Sequence, residues 1–497
     1  MFFTLIKSGS ISLLITVAFA LPSFSQVTQT GRFELAIEER ADMENPRVAS
    51  LGKQGALIYR KIRDKAKDFV ELIKIDSSLQ ENWRGTFKVD RNLAIAKVQA
   101  HEQFAFILFN SVLFGGFDFP VVVVNAQTQE YHSYIVKNLI PLKPTEFIAT
   151  RRSLLIGGYF NDIPVVLHFS LATGQSRLLP GFFNDPGELN QIKAYDDGFI
   201  DIIVSTKNLQ RKKVLWLRTY TPEGDLINST VIQDTEKSFL MGKSLRKADG
   251  TLLVTGTFNV RNSDYSKGIF ITEINNEGKY TIHYHNYTDL ENFFKYMKPA
   301  REARVKERIA RRNEKGKKLR NVYYFLPHEL KQNGDEFLFT GEVYYPRYYY
   351  LNSFGNSYRG DRIFDGYRYT HAAIVGINER GDLTWDNSFE INDIKTFRLI
   401  QYVKMAPLDE DLGLLYLYEN KVRSKTIYHN KVLEGKAVTE LELKFSSDLV
   451  KEKNTESSLL EYWYDPYFLA YGIQYVNSSM ASNAGRRVLF INKLKIP

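Results

Sequence analysis

A chain of 497 residues with 66 Lys and Arg against 57 Asp and Glu is weakly basic, with a formal net charge of +9. The absence of cysteine excludes disulfides, a lipid-modified cysteine, thiolate catalysis and Cys-ligated metals. The 34 Phe suit packing between sheets, whereas 30 Tyr hydroxyls all demand partners or water, which places some Tyr at a rim or binding surface.

Residues 1–25 read as a secretory signal: Lys7 supplies the positive start, Ile11 to Leu21 the apolar core, and Ser23-Phe24-Ser25 a small-x-small cleavage motif before Gln26. That core is short for a membrane span, and no later segment approaches twenty apolar residues. The mature chain, 26–497, is therefore expected in the periplasm, at the outer membrane or outside a bacterium. At that length one large core makes disulfide staples unnecessary.

Gly31 to Arg40 alternates apolar and polar residues and belongs to no repeat of its own. Beyond it a β-rich unit recurs, with strands starting at Ala56, Phe104, Leu154, Phe199, Thr251, Glu336, Gly413 and Phe468, about 50 residues apart except at two insertions. A second apolar run follows each, from Phe69–Ile75 to Val438–Phe445 and Val488–Ile491. Several are followed by Gly (174, 224, 278 and 381), suited to the positive φ of a tight antiparallel turn. Shorter segments ahead of each unit, such as Arg47–Leu51, Leu93–Val98 and Phe397–Val403, supply an innermost strand. The pattern predicts an all-β fold: an eight-bladed β-propeller of four-stranded antiparallel blades with a helical insertion, or seven blades if a terminal unit is degenerate. Repeats this long disfavour the rival parallel β-helix. Gly31–Arg40 is free to close the ring on the last blade and so remove its open edges.

Loops joining second to third strands and blade to blade leave a propeller on the same face. Both insertions, 288–322 between the fifth and sixth units and 345–369 within the sixth, are thus expected there, with Asn420–Lys436 of the seventh beside them. The bland reading is neutral drift in tolerant loops.

The first insertion opens with Thr288-Asp289-Leu290-Glu291, a capping-box pattern, followed by Leu290, Phe293, Phe294 and Met297 at helical spacing until Pro299 interrupts. Residues 301–320 then carry ten Lys or Arg against three Glu. Such a run is a solvated helix held by pairs like Glu302–Lys306, or else a landing strip for an anionic partner through Arg304, Arg308, Arg311, Arg312 and Lys315. The second insertion holds Tyr348, Tyr349, Tyr350, Arg359, Arg362, Tyr367 and Arg368. This composition either orders a long loop by Tyr packing and Arg–Asp pairing or forms a recognition surface for sugar rings or an extended peptide.

The repeat pattern over residues 31–497 resembles secreted bacterial β-propeller proteins of uncharacterised function. The resemblance implies a fold and transfers no site residue, since WD, kelch and regular Trp motifs are all missing. Quinone-dependent dehydrogenases of eight blades are set aside on the missing Trp pattern and vicinal cysteines.

His283 and His285, at i and i+2, share one strand face but have no third metal ligand in view. His371 is the best-placed general base by position. Asp196-Asp197-Gly198 and Asp249-Gly250 read as tight turns on the face opposite the insertions. No nucleotide loop, HExxH or nucleophile elbow is present. No cofactor is expected, and nucleic acid is not an expected partner. The leading expectation is a non-enzymatic binding or scaffold propeller recognising an envelope protein or an anionic or glycan polymer, with peripheral membrane contact allowed. The alternative is a carbohydrate- or polymer-active hydrolase or lyase on the same face.

Overall fold

Eight antiparallel sheets account for the repeat. The computed structural model describes residues 27–496 except 39–42, 65–66, 113–116, 139, 182–185, 261–262, 318–321, 351–361, 393, 409–410, 430, 433–437, 446–449 and 479–484. The expected signal segment thus lies outside the described residues. Each sheet is a blade whose first four-strand path runs outward from the axis, as in the first blade, Arg47–Ser50, Ala56–Asp64, Lys67–Ile75 and Glu81–Val89. The expected turn glycines have positive φ, 86° at Gly224 and 80° at Gly381, where a side chain would strain a tight reversal.

The eighth blade combines both ends of the chain. Val450–Tyr464, Tyr467–Ser478 and Arg486–Lys495 supply its inner three strands, and Thr28–Ala36 pairs antiparallel with Arg486–Lys495 as the outermost. Arg32 pins this seam, donating to Glu34 (2.7 Å), Gln474 (3.0 Å) and Asn492 (3.3 Å). Apolar packing shows closure independently. Eight buried clusters lie one at each contact between neighbouring blades, including one between the first and eighth, which an open ring would lack.

Four local expectations need correction. No helix begins at Thr288: the α-helix α1 spans Pro299–Glu314, with Pro299 in its first turn, where a missing amide costs nothing. The segment before it is a run of turns, because Asp386 of the sixth blade accepts the Glu291 and Asn292 amides (2.9 and 2.7 Å). Leu290, Phe293 and Phe294 are buried all the same.

In the seventh blade the innermost strand is Lys404–Leu408, not Phe397–Val403. The latter run instead serves the base of the second insertion, where Phe397 meets Phe364 and the Tyr369 hydroxyl donates to the Ile400 carbonyl. Asn420–Lys436 is no loop decoration: Lys421–Tyr428 is the third strand, and Thr439–Glu442 lies outside it within the run read as a second strand. The second insertion, finally, is less a loop than an overgrown hairpin. Its flanks continue the blade's own strands, Glu336–Tyr350 and Arg362–Ile377.

Candidate functional site

Strand alternation sends both insertions out of one face of the disc, and ring contacts join them there. The turns of the first insertion stack Tyr287 on Phe293 (4.6 Å) and on Phe325 of the sixth blade (5.6 Å). Next in line, Tyr296 lies over His371 of the hairpin strand, with centroids 3.9 Å apart and planes 9° from parallel.

Helix α1 rests on this platform through Ile309 and Val305, and Lys306 donates to the Glu291 carbonyl. Glu302–Lys306 (2.8 Å) and Glu307–Arg311 (3.5 Å) pair at i, i+4 as expected. Arg301, Arg304, Arg308, Arg311 and Lys315 recur at i, i+3, i+7, i+10 and i+14, which draws them into one exposed row along the helix. At 1.5 Å per residue the row is about 21 Å long. Among the described residues Arg304, Arg308 and Lys315 have no carboxylate partner. Arg312, half-buried, borders the row on the side toward Ile309. Arg301 joins it, a member the sequence reading passed over although the spacing points to it.

The hairpin uses much of its Tyr and Arg content on itself. Arg362 sits over the Tyr348 ring at 3.6 Å, Tyr348 meets Phe364 edge-on, and Arg347 and Lys395 share Asp365. One sheet face thereby becomes an aromatic ladder: Tyr265–Tyr324 (4.4 Å), Tyr324–Tyr344 (5.4 Å), Tyr344–Tyr367 (5.4 Å), Tyr367–Phe364 (4.9 Å) and Phe364–Tyr348 (5.7 Å). Burial pushes the Tyr344 hydroxyl up to about 12, so it stays a neutral donor. The opposite sheet face leaves Tyr349 and Tyr345 exposed at 47% and 48%, and Arg368 half-buried beside Tyr345 in register. Arg359 and the Tyr350 side chain lie outside the described residues.

At the inner end of the ladder a pocket of about 170 Å³ opens between the fifth and sixth blades, lined by Tyr324, Tyr344, Met241 and Thr257. Lys213 bridges its two carboxylates, Glu188 at 3.3 Å and Asp264 at 3.4 Å. Sequence reasoning missed Tyr265 and Tyr324, since nothing local reveals that two distant loops meet.

His371 cannot serve as a base for an outside substrate. It is fully buried, its Nδ1 lies 3.0 Å from the Thr370 hydroxyl, and burial depresses its pKa to about 3. His285, half-buried, is also lowered by desolvation and then by neighbouring His283. Among the described residues no three His, Asp or Glu converge as metal ligands, and no helix is long and apolar enough to cross a membrane.

No protein-family model matches the chain, and no curated protein matches it in sequence. Solved structures similar to it include a polysaccharide lyase (TM-score 0.41, 9% identity, 81% of this chain and 91% of that one). A prolyl endopeptidase is similar over 89% of this chain and 55% of its own (0.40, 6%), so this chain spans about half of that enzyme. The β-propeller domain of the Trilobed protease from Pyrococcus furiosus is similar over 82% and 97% (0.39, 8%). These likenesses concern the fold alone.

Proposed function

We propose that this propeller is a secreted, non-enzymatic binding or scaffold protein of the bacterial envelope whose insertion-bearing face holds an anionic glycan polymer. The observation that carries the reading is the row Arg301, Arg304, Arg308, Arg311 and Lys315. Cations spaced one helical turn apart along a line match a chain of regularly repeated negative charges better than a compact anion. A docked helix also holds that row in place, so little ordering entropy is lost on binding. On the same face of the disc the exposed Tyr345 and Tyr349 rings offer flat faces for sugar rings.

A hydrolase or lyase on this face would require a free pair of carboxylates and an accessible base. Glu188 and Asp264 are both tied to Lys213, and His371 is sealed under Tyr296. These facts favour the binder.

Chromatography of the protein on immobilised polygalacturonate tests the reading. Retention released by salt, and largely abolished by the combined substitution R304Q/R308Q/R311Q/K315Q, is the expected result. Retention unchanged by those four substitutions, or absent from the unsubstituted protein, contradicts it.

A further inference from the structure

The face opposite the insertions carries a larger cavity, about 560 Å³, within the range that encloses a small molecule. Tight turns between innermost and second strands build it from three successive blades: Glu102 of the second, Thr150–Ser153 of the third, and Asp196–Gly198 of the fourth. Gln99 and Ile148, on innermost strands, line its side toward the central channel, and Pro222, in the turn between the third and fourth strands of the fourth blade, lines its outer side.

Its charges are unequally matched. Arg151 bonds Glu102, and nearby Asp196 acts on the same guanidinium, so one cation answers both rim carboxylates. Arg152, exposed on the adjacent position, has no carboxylate partner among the described residues. Lys193 follows deeper on the Tyr195 strand. Its ammonium lies 5.6 Å from the Tyr195 ring centre and, among the described residues, hydrogen-bonds the Ser244 carbonyl alone, at 3.4 Å, with Glu329 and Asp201 acting on it from farther off.

The strands behind carry both signs, with most of the carboxylates already engaged. Innermost strands of six blades carry Arg47, Lys97, Lys193, Lys243, Lys331 and Lys404, and the carboxylates on innermost strands or their connection are Glu146, Glu188, Glu329, Glu452, Glu456 and Glu461, of which Glu188 pairs with Lys213 and Glu456 with Arg487. Of those carboxylates, Glu329 is held by Lys243 (2.6 Å) and Gln191 (2.8 Å), and Glu461 accepts from Tyr471 (2.7 Å). Lys331 keeps an exposed surface while surrounding protein lowers its ammonium pKa, the combination expected on a channel wall rather than an outer surface. Where cations outnumber free carboxylates, low-dielectric walls focus the field and concentrate counter-ions.

We infer that this cavity binds a small organic or inorganic oxyanion, with Arg152 of its lining as the charge-bearing contact, the Tyr195 ring as its floor, and Lys193, beside that ring, adding to the positive field. The site is separate from α1, so the two ligands bind at opposite faces. Carboxylate and phosphate share the required chemistry, and the probes distinguish them.

Isothermal titration of the full protein with citrate and with pyrophosphate tests the inference. Binding of either probe, weakened tenfold or more by R152Q, to a smaller extent by K193Q, and unchanged by the four-residue α1 variant, supports it; the preferred probe names the anion class. No heat with either probe overturns it, as does an affinity that R152Q leaves unaltered. R152Q changes an exposed side chain, so its fold is preserved and loss of binding there is not loss of structure.

Discussion

Tyr296 covers His371 face to face at 3.9 Å, and this contact is where the first insertion is fastened to the strand that bears the second. The imidazole has no route to water on that side. Its partner Thr370 satisfies one nitrogen and leaves the other in a dry, aromatic surrounding formed by Tyr296 and Phe293.

A pH dependence follows. His371 has its pKa depressed by burial from 6.5 to about 3 in the folded state. The unfolded chain therefore binds the extra proton as pH falls below about 6.5, and this residue's penalty on folding grows down to about pH 3. H371F, which keeps a ring under Tyr296, removes that penalty. Urea midpoints measured at pH 7 and pH 4.5 are expected to fall less for H371F than for the parent protein; parallel falls would refute the assignment.

Asp386 latches the first insertion from a distance of nearly a hundred residues, through two backbone amides. Each bond to a charged acceptor is worth about 2 kcal/mol. D386A is expected to free residues 288–317 while sparing the blades. Limited trypsinolysis should cut α1 at least tenfold faster in D386A, with far-UV circular dichroism unchanged.

The chain-closing seam depends on Arg32, whose side chain is 5% exposed and bonded to three partners on three strands. Its removal leaves Gln474 and Asn492 short of a partner in a buried site. R32A should lower the unfolding free energy by about 3 kcal/mol, read from denaturant melts. Deleting residues 27–37 should go further and bare the Arg486–Lys495 edge, so that size-exclusion chromatography shows association.

The architecture was legible because its cause is local. Apolar runs such as Leu252–Asn259 and Gly268–Ile274 announce buried strands, glycines mark the reversals, and a stray alternating segment at the N-terminus matches the missing outer strand. The helix start was misread because a capping box is also a local signal, whereas the choice against helix at Thr288 is made by Asp386 from another blade. The seventh blade misled for the same reason: Phe397 to Val403 is apolar to cover the hairpin base, not to pair in a sheet. At the candidate site the Arg spacing was readable residue by residue. That Tyr348, Arg362 and Tyr367 pack against their own hairpin was open in the sequence, since Tyr and Arg serve internal stacking and external recognition equally well.

The row of cations on α1 is the centre of the functional account, and its most direct test is the salt dependence of polymer affinity. For polygalacturonate, log affinity against log salt concentration should fall steeply for the parent protein. R304Q/R308Q/R311Q/K315Q should flatten that slope by removing the ion-release contribution of four cations. An identical slope in the two proteins would contradict the account.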